Sequence, residues 1–96
     1  MTGRRSGRFR VMVEEGTPHG DLYELEQTTY HHVVDTRTGQ TVITFRGETH
    51  ASLSRTTGMW DDYSYSGVRE VAISPREELV LVTDWDGRTE CVPLPR

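Results

Sequence analysis

Residues 67–92 read G-V-R-E-V-A-I-S-P-R-E-E-L-V-L-V-T-D-W-D-G-R-T-E-C-V, and this stretch decides the fold class. Two runs rich in Val, Leu and Ile, 68–73 and 79–84, flank Ser-Pro-Arg-Glu-Glu, which has the composition of a turn. A third run, 89–94, follows Asp86-Gly87. Asp-Gly between apolar runs is a strong hairpin signal, because the favoured tight turns need positive φ angles that these two residues tolerate. Three strands joined by two turns make an antiparallel meander. Residues 79–82 are apolar on both faces, which predicts the most central strand of the sheet. Cys91, on an alternating strand with no basic neighbour to lower its pKa, is expected to be packed.

Working outward, T-V-I-T-F-R at 41–46 is preceded by D-T-R-T-G-Q, where Gly39 can take a positive φ. The long extended stretch 22–35 comes before it, with Tyr23 and Leu25 opposite Glu24 and Glu26, so the two stretches predict a hairpin. A straight strand of that length is unusual, and a bend is expected near Thr28 or Thr29. Further upstream, R-F-R-V-M-V-E-E alternates, with Phe9, Val11 and Val13 on one face and Arg10, Met12 and Glu14 on the other. Residues 16–21, G-T-P-H-G-D, read as a loop. Residues 47–67 break the pattern: Ala51, Leu53 and Met59 are the aliphatic-type residues among many Ser, Thr and Gly. They are expected to form a long aromatic loop.

The chain has 96 residues, the size of one domain. Val and Thr make up 23 of them, and Ala occurs only at positions 51 and 72. No segment longer than a turn has helical period. The reading is therefore an all-β domain of about six antiparallel strands in a meander, in two groups of three either side of the aromatic loop. A sheet this small must curl into a barrel, fold into a sandwich or assemble with further copies. The domain spans 8–96, and 1–7 is expected to be a disordered basic tail. A lone cysteine offers no internal disulfide. No apolar run reaches the length of a membrane span, nor does one follow the first arginines as a secretory signal would require, so the expected location is the cytoplasm. All basic residues are Arg, with no Lys or Asn, which suggests a GC-rich bacterial or phage origin.

Within this all-β frame, residues 67–92 resemble a WD-repeat β-propeller blade: an apolar strand ending Ser-Pro, a second apolar strand, Asp-Gly and a third strand. Residues 30–50, which include V-V-D-T-R-T-G-Q-T-V-I-T-F-R-G-E-T-H, resemble the join from one blade to the next. In that alignment Asp35 follows the family's Trp position, held by Val34, and Gly47 to His50 echo its Gly-His pair. Val92 stands where the family has its second Trp, and about 17 residues between His50 and Val68 replace a shorter connection. The chain supplies one blade and a part, so several copies would have to close a ring; the alternative is the likeness of any antiparallel hairpin pair. The resemblance implies a binding platform without chemistry.

Among candidate sites, Met59, Trp60, Asp61, Tyr63, Tyr65 and Trp85 carry the strongest signal. Trp and Tyr supply large contact areas with few rotors and dominate interface hot spots. The competing reading has Trp60 and Tyr63 folding back over the open sheet. Glu48, His50 and Asp61 offer acid and base groups in one segment, which gives the alternative of a small-ligand barrel or a minor enzyme. His31 and His32 are adjacent and point to opposite faces of a strand. With no H-x-H or C-x-x-C spacing, neither a metal nor another cofactor is expected. Arg4, Arg5, Arg8 and Arg10 form a basic arm on an acidic body, the chain as a whole having net charge -4. The arm could grip phosphates, but the acidic body disfavours nucleic acid. The leading reading is a non-catalytic protein-binding module of the inhibitor, immunity or adaptor kind. It would self-associate as a homo-oligomer and engage a partner with a basic surface.

Overall fold

The computed structural model describes residues 7–54 and 56–95, and the side chains of Asp61 and Asp62 lie outside what it describes. Seven strands form: β1 (Phe9–Glu15), β2 (His19–Gly20), β3 (Glu24–Asp35), β4 (Gln40–Leu53), β5 (Trp60–Ile73), β6 (Leu79–Asp84) and β7 (Thr89–Pro93). The fold is all-β, with no helix among the described residues. All pairings are antiparallel, in the order β1-β3-β4-β5-β6-β7, with β2 added to β3. The two ends of this order are not paired, so the sheet is open and, of barrel, sandwich and assembly, the barrel is not supported. No helix among the described residues is long and apolar enough to cross a membrane. The expected tail lies outside the described residues but for Gly7.

The turn chemistry acts as read. At the β3–β4 turn, the Asp35 carbonyl accepts from Gly39 N at 2.7 Å and its carboxylate from Arg37 N at 2.9 Å. At the β6–β7 turn, the Asp84 carboxylate accepts from Asp86 N and Arg88 N at 3.0 and 2.9 Å. Gly39 and Gly87 take the positive φ angles of 75° and 88° that these reversals need. Ser74 closes the β5–β6 turn by accepting from Glu78 N and Leu79 N.

Three expectations are corrected. Residues 47–67 are not a loop: β4 and β5 run through them and the connection shrinks to 54–59. β3 runs unbroken past Thr28 and Thr29, and its irregularity comes later, as a register shift at Val33/Val34. β6 is not central. It lies between β5 and the edge strand β7, with Val80 and Val82 buried while Leu79 and Cys91 are exposed. An apolar run one strand from the edge needs only one buried face.

β5 leads two lives. Its first half, to Gly67, pairs with β4, and its second half, from Val68, pairs with β6. The change of partner occurs where Gly47 and Gly67 face each other. Gly67 has φ 74°, and a side chain on Gly47 would collide with the Val68 carbonyl. Beyond this crossing the second half of β5, with β6 and β7, turns back over the start of the sheet. The core lies between the two layers: Phe9 and Val33 meet Val71, Val80, Val82 and Leu94, with Val11, Ile43, Phe45 and Ile73 packed around them.

Among the described residues the other halves of β3, β4 and β5 have no second layer and project as a ribbon, with the two-residue β2 added on its β3 edge. The chain measures 58 × 26 × 24 Å with a radius of gyration of 17.0 Å. A compact domain of this length would have a radius of about 12–13 Å. The ribbon makes the difference.

Candidate functional site

Strand alternation sorts the ribbon's side chains onto two unlike faces. On the inner face, which continues from the core, β3 contributes Leu25, Gln27 and Thr29. Opposite them in register stand Ala51, Thr49 and Gly47 of β4. Tyr65 pairs with Thr49 and Trp60 with Leu53, while Tyr63 adjoins Ser64, which pairs with His50 on the outer face. A register shift between His50 and Ser52 marks a β-bulge in this part of β5. Trp85, at the end of the second layer, donates its backbone N–H to Gly67 O at 3.1 Å. Its ring stacks on Tyr65, with centroids 4.4 Å apart and planes at 26°. The Arg69 guanidinium lies over that indole, 5.9 Å from the ring centroid.

The aromatic residues expected in a flexible loop are thus mounted on strands. Met59, Tyr63, Tyr65 and Trp85 are 67, 55, 47 and 40% exposed, and Trp60 is half-buried. Tyr63 is therefore no core lid. Asp61 pairs in register with Ser52 of β4, and its side chain lies outside what is described. Where the second layer stops, a crevice of about 90 Å³ opens, lined by Thr29, His31, Gly47, Val68 and Trp85 among others. His31 is buried there, and its Nδ1 has no hydrogen-bond partner. Burial, helped by neighbouring His32, pushes its pKa below the ordinary value.

The outer face is polar. A groove of about 250 Å³ is lined by His19, Glu26, Arg46, Glu48, His50 and Ser64 among others. Glu48 and His50 do share this face, as their spacing of two dictates, but each is engaged elsewhere. Arg46 Nη2 lies 2.7 Å from Glu48 Oε1, and His50 Nε2 lies 3.6 Å from Glu24 Oε1. His19 sits 3.5 Å from Glu26, and His32, on the face opposite His31, bridges Glu14 at 2.8 Å and Thr44 at 2.9 Å. Carboxylates paired in open solvent lack the burial that would fit them for general acid–base work. No group of three His, Cys, Asp or Glu that could hold a metal occurs among the described residues.

Of the basic arm, Arg8 is committed to the fold. Its guanidinium contacts Asp35 Oδ2 at 3.2 Å and lies over the Phe9 ring. The backbone amides of Arg8 and Phe9 donate to the Glu77 carboxylate at 3.1 and 3.3 Å. Glu77 holds a left-handed φ of 57° to reach them. Arg4 and Arg5 lie outside the described residues.

Sequence reasoning missed the contribution of β3 and β4 to the inner face. Leu25 and Gln27 alternate with Glu24 and Glu26, and Thr49, Ala51 and Leu53 alternate with Glu48, His50 and Ser52. That period of two was the available signal. No family model, curated protein or solved structure matches this chain.

Proposed function

We propose that this chain is a non-catalytic protein-binding module whose recognition surface is the inner face of the ribbon, centred on Tyr63, Tyr65 and Trp85. One observation carries the reading: an aromatic sheet face, continuous with the core, that none of the described residues covers with a second layer. Exposed apolar patches of this kind mark interaction sites. Tyr63 and Tyr65, held on a hydrogen-bonded strand, also lose little conformational freedom on binding, which favours affinity. The polar outer groove favours a small-ligand role less, since its described charges are already paired with one another.

Selection of a displayed random peptide library on the intact chain tests the reading. Selected peptides are expected to lose at least about 10-fold in affinity with Tyr63→Ala or Trp85→Ala, the scale of hot-spot truncation. They should be indifferent to His50→Ala in the outer groove. Peptides that depend on His50 and ignore Tyr63 would refute it.

A further inference from the structure

We infer that the inner face of the ribbon is the contact surface between two copies of this chain, packed face to face with their ribbons antiparallel. The inference rests on the protein-binding reading and names the partner.

Shape comes first. At about 3.3 Å per residue, β3 is roughly 40 Å long and β6 roughly 20 Å, so the second layer covers about half the length of the first. Each copy is a step, two layers thick at one end and one layer thick at the other. A second copy turned end for end fills the step with its own ribbon, and the pair is two layers thick throughout. This meets the requirement that each apolar sheet face be covered. The arrangement brings the turn of each ribbon, with its exposed Met59, toward the crevice beside Trp85 of the partner subunit.

Charge comes second. The chain is net acidic, so two copies repel unless they meet on a neutral surface. Among the described side chains, none that β3, β4 and β5 place on the ribbon's inner face is charged. Glu15 at the end of β1 and Arg69 over Trp85 stand at its margins. The outer face carries Glu24, Glu26 and Glu48 against Arg46. A basic partner would be drawn to that outer face; an inner face without charge among its described side chains suits a second copy.

Area comes third. At about 200 Å² per large side chain, the exposed parts of Met59, Tyr63, Tyr65 and Trp85 leave roughly 400 Å² uncovered. Two copies would bury about 800 Å² from these four side chains alone, and half-buried Leu25, Gln27, Thr49 and Trp60 beside them bring the contact toward the roughly 1,200 Å² of a small specific interface. Pairing along the free edge of β5 is the rival geometry. The bulge in that strand discourages it.

Sedimentation velocity on the full chain, from about 1 to 300 µM, tests the inference. The wild type is expected to sediment at twice the 11.0 kDa chain mass in the upper part of that range. Tyr63→Arg should weaken the dimer at least about 100-fold, because it buries an unpaired charge at the centre of the contact. Met59→Asp, at the exposed turn, provides a second disruption that leaves the strands untouched. Ser64→Arg, on the opposite face of the same strand, should change the dissociation constant by less than about threefold. Far-UV circular dichroism and a thermal melt verify that each variant is folded. A wild type that remains monomeric overturns the inference, as does a dimer that Ser64→Arg breaks or that Tyr63→Arg and Met59→Asp leave intact. A monomer whose selected peptides still require Tyr63 would leave the protein-binding reading standing. A monomer that selects none would remove both.

Discussion

Gly47→Ala isolates the packing demand that shapes the whole chain. Gly47 is buried and paired on both sides, with Thr29 and with Gly67. Its φ is not in the left-handed region, so alanine imposes no backbone strain of its own. The added methyl group would overlap the Val68 carbonyl oxygen and lie 3.2 Å from its carbon and 3.5 Å from its nitrogen. All three are backbone atoms, so no side chain can swing aside; β5 must back away from β4 at the point where the second layer departs. Overpacking of this kind costs about 1–3 kcal/mol, and a backbone obstacle held by two ladders belongs at the upper end. For a domain of this size each kcal/mol lowers the midpoint by about 4–8 °C, so a fall of about 12–24 °C is expected in a calorimetric or circular-dichroism melt. Gly39→Ala is the matched control. It has nothing within 4 Å of the added carbon but a φ of 75°, and should cost only about 1 kcal/mol through backbone strain. A Gly47→Ala melt within about 2 °C of wild type would refute the view that the close glycine crossing makes the sheet fold back.

Two further outcomes follow from the electrostatics and the strained turn. Backbone donation from Arg37, with the Arg8 ion pair, holds the Asp35 carboxyl below its usual 3.8, while burial holds His31 below its usual 6.5. Both groups bind protons more readily in the unfolded chain, so stability should rise with pH through each range. The His31 contribution is complete above about 6.5 and erodes as pH falls; that of Asp35 erodes below about 4. Midpoints measured from pH 8 to 3 should show both limbs, and His31→Leu should flatten the upper one; an unchanged upper limb would refute its assignment. Glu77→Gln keeps an acceptor for only one of the two amides and should cost about half as much as Glu77→Ala, which frees both the Arg8 and Phe9 amides and should cost about 1–2 kcal/mol in urea unfolding. Equal loss in the two variants would show that the left-handed backbone at 77, not its carboxylate, is what matters.

The sequence alone determined the features that depend on a few neighbouring residues. Asp35 with Gly39, Ser74 with the turn that follows it, and Asp84 with Gly87 specify three reversals, because each turn is closed by side-chain and backbone bonds within five residues. Alternation put Phe9 and Val11 on one face, the one that meets the core, and adjacency put His31 and His32 on opposite faces. It also singled out the aromatic residues, by their type. Only the tertiary structure decided where those residues stand. Residues 47–67 lack the aliphatic alternation of a strand because no described residue covers their inner face. Residues 47–53 and 60–67 are strands nonetheless, since neighbouring strands satisfy their backbone hydrogen bonds whatever the side chains are. Gly47 and Gly67 resemble breaks when taken singly; opposite each other, they are the crossing that lets two layers form from one open sheet. That crossing ends the second layer at Trp85 and leaves the aromatic face bare, a consequence of contacts between residues twenty positions apart that no local pattern encodes.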